Sequence, residues 1–552
     1  MAAPGSRSDD KYFLWFSDIH YDPYYATKDA YRAAYNTKAV CNSTSIPSVG
    51  SIGCDSPKAL VTSALEYASE IAASPSFIIL SGDAIRHGVD MLYASRNHEG
   101  SESRNDNEVE MAANSEYHTD TMKKSGDIIN DLVAVFAEVY PDAEVIICLG
   151  NNDVVPDYYL QLQGETSNVG NLTMTPEDSG MLSVIYNALL GNGRESSDYI
   201  QVGEQRRSRR LLSTEDKSTF LKGGYYSRVL PDGLTVLSIN TVLYSSFFGP
   251  EPLNADDPGE QFAWMRVMLT NIRESGNKQA IIVGHIPPGV GSFRHSQLWK
   301  EKYINIYYEI IQEFDDVIAG QLFGHLHREE FRVGVGRSAI PSSISTPLLL
   351  AGSLTPVHGN NPSFRKVFYG DGVGDDSKYR LRLLDYESHR YPMSDSNAGD
   401  WSKLYTFSEI YSTAAEEIKA EGLSANVFRS ILQSMKDKGG KESPTLQSFL
   451  SLVGSGSVGD VESSRTEDDC DAECRAEWIC TLSGTTTTNQ YNECLLQERG
   501  PGRYMIGLAG ATLFVVAFLF ILAVRFRRRR ARDQYESTIA GNIEMELDNE
   551  ML

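Results

Sequence analysis

Short apolar runs alternate along the chain with longer amphipathic stretches. Five of the runs stop abruptly at polar residues. Tyr12–Phe16 precedes Ser17-Asp18-Ile19-His20, Phe77–Leu80 precedes Ser81-Gly82-Asp83, and Val145–Leu149 precedes Gly150-Asn151-Asn152-Asp153. Ala280–Val283 precedes Gly284-His285, and Val317–Phe323 precedes Gly324-His325-Leu326-His327. Runs this short, rich in Ile, Val and Phe, predict buried strands. Helices are predicted at Ser56–Ser74, Asp120–Val139, Gly259–Glu274 and Gln297–Phe314. Strands alternating with helices imply an α/β fold around a buried sheet. Ligand sites in such sheets lie past the carboxyl ends of the strands. Asp400–Leu423 and Ala425–Lys436 also read as helical, and a Ser/Gly/acidic stretch follows at Gly454–Glu467. The predicted division is a catalytic domain over 11–395 and a small helical, cysteine-containing region over 396–499, then a membrane span and a tail.

The membrane span is the longest apolar segment. Met505–Val524 holds 20 residues without a charge, enough for a helix of about 30 Å, the thickness of a bilayer's hydrocarbon core. Arg525, Arg527, Arg528, Arg529, Arg530 and Arg532 follow at once. Excess positive charge marks the cytosolic side, so residues 525–552 are expected in the cytosol. The remainder is expected in a lumen, such as a lysosome- or vacuole-like compartment, or at the cell surface, as a single-pass type I protein. Residues 1–10 are polar and show no leader pattern. The expectation is a leader that lies upstream of Met1 or has been removed; the rival is a tail-anchored protein facing the cytosol.

Composition narrows the function. The 552 residues carry 50 basic and 74 acidic side chains, a formal charge of −24. A nucleic-acid binder would show a basic face instead, whereas an anionic substrate stays possible because bound metal ions invert the local field. Of seven cysteines, Cys148 lies inside an apolar run. Cys41, Cys54, Cys470, Cys474, Cys480 and Cys494 lie in loop-like or helical surroundings and suggest three disulfides. The late four allow three connectivities, and their spacing matches no common zinc site. Sequons at Asn42 and Asn171 are candidate glycosylation sites and fit a secretory location.

The polar residues after the five runs carry the candidate chemistry. Asp18 and His20 are two apart, as are His325 and His327, and a strand's period of two would place each pair on one face. Asp83, Asn151 and His285 each follow a glycine, which permits a tight turn. Seven oxygen and nitrogen ligands on one rim can hold two divalent ions, with Asp83 as a bridging carboxylate. Such a donor set suits Zn, with Mn or Fe as alternatives, better than Ca.

In this order D-x-H, G-D, G-N-x-D, G-H and G-H-x-H resemble the calcineurin-like metallophosphoesterase superfamily. Ser17-Asp18-Ile19-His20-Tyr21-Asp22-Pro23, Gly284-His285-Ile286-Pro287-Pro288-Gly289 and Asn361-Pro362-Ser363-Phe364-Arg365 resemble its acid sphingomyelinase-like phosphodiesterases and the related endopolyphosphatases. The resemblance covers about residues 11–385 and extends weakly to about 495. It implies a four-layer α/β/β/α sandwich. It also implies one ion on Asp18, His20, Asp83 and His327, and a second on Asp83, Asn151, His285 and His325. A hydroxide between the ions would attack phosphorus in line. Where the superfamily usually has a histidine after the G-N pair, this chain has Asn152, which can donate a hydrogen bond but cannot act as an acid. His87, four residues after Asp83, is the expected substitute. Loss of the histidine mildly favours a leaving group that needs little protonation, such as another phosphate. The expected function is therefore a membrane-anchored hydrolase of phosphodiester or phosphoanhydride bonds. The alternatives are an endopolyphosphatase with the same chemistry, or a non-catalytic receptor glycoprotein on this scaffold.

Overall fold

The computed structural model describes residues 11–32, 39–43, 47–92, 115–162, 168–169, 172–173, 180–190, 211–249, 255–276, 279–334, 343–371, 381–393, 399–437, 443–456 and 470–499. The expected membrane span at 505–524, the tail at 525–552 and Asn171 lie outside the described residues. Among the described residues no helix is long and apolar enough to cross a membrane. The chain divides into two units, Met1–Tyr491 and Asn492–Leu552; the sheets and the site belong to the first.

The five predicted runs are strands: β1 (Lys11–Phe16), β2 (Ile78–Leu80), β3 (Val145–Ile147), and, after a short hairpin β4 (Asn168–Val169) and β5 (Leu172–Thr173), two more described below. β6 (Tyr226–Val229) and β7 (Thr235–Ser238) lead into β8 (Ala280–Val283) and β9 (Ile318–Phe323). β10 (Glu330–Arg332), β11 (Leu348–Leu350), β12 (Ser363–Asp371), β13 (Leu381–Arg390) and β14 (Ser402–Thr406) follow. Every residue of β2, β3, β8 and β9 is buried, which is why they read as unbroken apolar runs.

The strands form two mixed six-stranded sheets, in the orders β14-β13-β12-β1-β2-β3 and β10-β11-β9-β8-β7-β6. In the first, β1, β2 and β3 run parallel, with Leu14 opposite Ile78 and Ile78 opposite Val145, while β12 pairs antiparallel with β1. In the second, β7, β8, β9 and β11 are parallel. The sheets meet face to face. The Tyr226 hydroxyl on β6 and the Ser238 hydroxyl on β7 both donate to the Ile147 carbonyl on β3, each at 2.9 Å. Gly320 on β9 lies so close to β13 that a Cβ there would stand 2.7 Å from Leu383.

Helices pack on both sheets. Tyr67 of the helix Lys58–Ile71 and Phe136 of Ser115–Val139 contact Phe364 and Phe16 of the first sheet. Tyr307 of Glu301–Glu313 bonds Gln321 of the second, at 2.8 Å. The four predicted helices are all present, within a few residues at their ends.

Asp400–Leu423 differs from expectation. Ser402–Thr406, read as helical, is the edge strand β14, paired antiparallel with β13. Short helices begin only at Phe407. Backbone bonds on either side of β10 tie the later helical region to it: the Glu329 N–H donates to Val453 O at 2.9 Å, and the Val333 N–H to Leu482 O at 3.0 Å.

All six expected cysteines are oxidised. Cys41 pairs with Cys54 and Cys470 with Cys474, and Cys480 and Cys494 are each disulfide-bonded. Cys148 is a buried free thiol.

Candidate metal centre

The loops that leave the carboxyl ends of β1, β2, β3, β8 and β9 bring the seven expected ligands together. One ligand atom each from Asp18, His20 and His327 lies within 4.8 Å of the others, and Asp83, His285 and His325 form a second such group. His285 Nε2 is 3.2 Å from Asn151 Oδ1, which adds Asn151 to the second group. Asp83 faces both groups: its Oδ2 is 3.4 Å from His20 Nε2 and 3.1 Å from His285 Nε2. His327 Nε2 is 3.4 Å from Asp18 Oδ1.

The local geometry differs from the expected strand pleat. Asp18, His20, Asp83, His325 and His327 have φ of +47°, +43°, +50°, +73° and +56°. All five lie beyond their strands, in the left-handed region that side chains rarely occupy. Such a backbone costs of order 1–3 kcal/mol per residue and persists only where the surroundings over-determine it. Here hydrogen bonds do so. Asp18 and His20 donate their N–H groups to Gly82 O and Asp83 O at 3.2 and 2.9 Å, and the His325 N–H donates to Asp18 Oδ1 at 3.0 Å.

The glycines serve chiefly to make room rather than to turn. Only Gly82 among the glycines that precede ligands has a positive φ, +86°. A Cβ on Gly150 would stand 2.0 Å from Asp83 Oδ1, and one on Gly324 would stand 2.1 Å from Ser17 Oγ and 2.6 Å from Asp18 Oδ2.

The residues fit a pair of cations. His20 is fully buried, and neither of its ring nitrogens makes a hydrogen bond. His327 Nδ1 is likewise buried without one. Burial, reinforced by His87, pushes His20 down to about 3; burial and the neighbouring His285 do the same to His325. These rings are therefore neutral, with lone pairs available to a metal. His285 donates Nδ1–H to the Ser81 carbonyl at 2.8 Å, which turns Nε2 toward Asp83 and Asn151. Burial opposes protonation of His285, but Asp83 and Asp18 outweigh it and raise the ring to about 9. Burial also raises Asp18 to about 7, helped by Asp83 and opposed by His285. This buried acid cluster thus attracts positive charge to the spot.

Around the ligands, Asp153 accepts from the N–H groups of Ala84 and Ile85 through Oδ1 and from Gly150 through Oδ2, at 2.8 to 3.1 Å. It fixes the Asp83 loop against the Asn151 loop. Asn152 donates its backbone N–H to Asp83 Oδ1 at 2.8 Å and its side-chain Nδ2–H to Oδ2 at 2.7 Å. One of its two amide hydrogens is thus held by the Asp83 carboxylate.

His87 is at the site. Its ring stacks on His20 with centroids 3.8 Å apart, and Tyr31 covers its surroundings at 4.9 Å. Asp55, which the sequence did not single out, accepts the His87 backbone N–H at 2.8 Å and faces Nδ1 at 2.9 Å. Burial works against a charge on His87, but Asp55 overrides it and raises the ring. The Cys41–Cys54 disulfide ends one residue before Asp55.

A cleft of about 350 Å³ opens on this cluster. His87, Asn152, His325 and His327 line it, with Tyr158 and His358. Phe247, Arg294, Arg328 and Gly454 contribute further wall. Neither His358 nor Tyr158 has a spacing partner in the sequence that could have marked it.

The calcineurin-like phosphoesterase family matches residues 11–329, more than half of the chain, and the chain belongs to it. It is therefore a metal-dependent phosphoric ester hydrolase. Among curated relatives it is similar to acid sphingomyelinase-like phosphodiesterase 3b of Homo sapiens, 26% identical over 518 residues that cover 89% of this chain and 91% of that one. It is also similar to the cyclic GMP-AMP phosphodiesterase SMPDL3A of Homo sapiens, at 25% identity over 88% of this chain and 90% of the relative. The sphingomyelinase phosphodiesterase D of Dictyostelium discoideum is 26% identical over 70% and 72% of the two chains.

Proposed function

We propose that the protein is a membrane-anchored phosphodiesterase with a dinuclear metal centre on the lumenal or extracellular side. The observation that carries the reading is Asp83 Oδ2, placed within 3.4 Å of His20 Nε2 and 3.1 Å of His285 Nε2, so that one carboxylate serves both ligand groups. Asp18, His20, Asp83 and His327 would hold one ion, and Asp83, Asn151, His285 and His325 the other; Zn is the first choice, with Mn or Fe next. A bound pair lowers the pKa of a water and neutralises charge on the phosphoryl oxygens. The family's four-layer α/β/β/α arrangement is the scaffold for this rim.

The chain's own groups do the rest. Asn152 and Asp153 hold the carboxylate of Asp83 and its loop. His87, gripped by Asp55 through Nδ1, leaves Nε2 as the nitrogen for the leaving oxygen in the cleft that it lines. The relatives' names supply the diester substrate class. The disulfides and the exposed Asn42 sequon support an oxidising, glycosylating compartment, and the 505–524 segment supports the anchor.

A second substrate reading, a phosphoanhydride such as polyphosphate, is favoured by Arg294 and Arg328 on the cleft wall, which suit a second anionic group. The test is metal analysis combined with hydrolysis of bis(p-nitrophenyl) phosphate, sphingomyelin, nucleotides and polyphosphate. About two metal ions per chain with diester turnover is the expected result. A metal-loaded protein that cleaves none of them would overturn the reading and return the receptor alternative.

A further inference from the structure

His358 lies on the turn that follows β11, and that turn is built onto the metal rim. The Leu354 and Thr355 N–H groups donate to Ser17 O and Asp18 O at 3.0 and 3.1 Å. Asn360 Nδ2 bonds Ser353 Oγ, Thr355 O and Asn361 O at 2.8 to 3.1 Å. Gly359, at φ +92°, completes the turn with its N–H on Pro356 O at 3.1 Å. The turn is thus fastened on both sides of His358, and its ring is delivered to a set place.

That place is the cleft. The His358 ring stands edge-on to His327 at 4.4 Å and to His87 at 6.0 Å, and all three line the cavity with Asn152. Asn152 donates one of its two amide hydrogens to Asp83 Oδ2, at 2.7 Å, which ties its side chain to that carboxylate. Beyond the candidate ligands, two further imidazoles, His87 and His358, line the cleft. A neutral imidazole always carries one N–H, which can serve a phosphoryl oxygen.

We propose that His358 is a substrate-contacting residue, whose ring N–H donates a hydrogen bond to an oxygen of the bound phosphoester. The proposal rests on the phosphodiesterase reading above and adds to it a residue that neither the motifs nor the ligand set contains.

The test uses the full chain in detergent, loaded with metal, with His358→Phe and His358→Gln. Phenylalanine keeps a ring against His327 but has no N–H; glutamine restores a donor. Three quantities are read: metal per chain, kcat and KM on bis(p-nitrophenyl) phosphate, and the Kd of inorganic phosphate. Expected for His358→Phe are a wild-type metal content, kcat/KM lower by about 10- to 100-fold, as for loss of one hydrogen bond to a charged oxygen, and weaker phosphate binding. His358→Gln should recover several-fold of that loss. Unchanged kcat/KM and phosphate Kd in His358→Phe would overturn the proposal. So would equal loss of metal from both variants, which would reduce His358 to a prop for His327. Should the wild type cleave no phosphoester at all, the functional reading fails by itself, and the phosphate Kd still decides the His358 contact.

Discussion

Gly150→Ala tests the compactness of the metal rim directly. The new Cβ would stand 2.0 Å from Asp83 Oδ1 and 2.2 Å from the Asp83 backbone nitrogen. Carbon and oxygen approach to about 3.3 Å even in weak C–H···O contacts, so the carboxylate must retreat by roughly 1.3 Å. A metal site tolerates about 0.2 Å in ligand distance, and a misplacement of about 1 Å is enough to cost on the order of 100-fold in rate. Asp83 is the carboxylate shared by both ligand groups, so the displacement should weaken both ions together. The assay is metal content by mass spectrometry beside hydrolysis of bis(p-nitrophenyl) phosphate. The expected outcome is fewer than two ions per chain and turnover lower by about 100-fold or more. Gly180→Ala, where nothing lies within 4 Å of the added Cβ, is the control and should keep its activity. Full metal content with turnover within about threefold of wild type in Gly150→Ala would refute the reasoning, because Asp83 could not then sit where it does.

The other predictions follow from the same contacts. His285→Ala should abolish turnover while the circular dichroism spectrum stays native, because it removes a ligand and leaves the sheet; unchanged activity would remove His285 from the site. His87→Ala should slow substrates with alkoxide leaving groups more than nitrophenyl ones, which need little protonation; equal losses on both would end its role as a proton donor. Glu387 is pulled down to about 2 by His389 and Lys403 beside it, against a burial penalty. Its folded value lies below the ordinary 4.5, so the stability that it contributes is whole above about pH 4.5 and is lost as pH falls toward 2. The melting-temperature gap between wild type and Glu387→Gln should therefore be widest above about pH 5 and close toward pH 2; a gap that is constant with pH would contradict this.

The convergence of the seven candidate residues was legible because the strands that lead to them, four of the five wholly buried, end at once in these polar residues. β2 and β3, for example, are three residues each and wholly buried. β12 hid because its half-buried positions, Lys366, Phe368 and Gly370, show no polar alternation, and the wholly buried Arg365 sits among its inward ones. That arginine is paired with Glu329, 2.9 Å from its Nε, on the loop after β9, a partner that no local pattern announces. β14 was misread because the Ser402–Thr406 strand runs straight into helices, and its pairing with β13 is set by tertiary contact. Asp18 and His20 were rightly paired for the wrong reason, since their left-handed backbones replace the pleat. Gly150 was rightly noticed, but its purpose is clearance for the carboxylate of Asp83, a residue distant in the chain, and Gly324 does the same for Asp18. Asp55 and His358 carry no spacing signal, and only the fold brings the one to His87 and the other to the cleft.

The C-terminal segment cannot be regarded as a dispensable stalk. Gly454 lines the cleft, the Ser455 carbonyl accepts from Asn361 Nδ2 at 3.2 Å, and Thr485 O accepts from the Val290 N–H at 3.0 Å. A protease that trims the chain near residue 395 would strip β14 from its neighbour and tear out part of the binding wall, leaving a bare, sticky sheet margin. A cut from the C-terminal side therefore leaves these contacts whole only if it falls beyond Thr485.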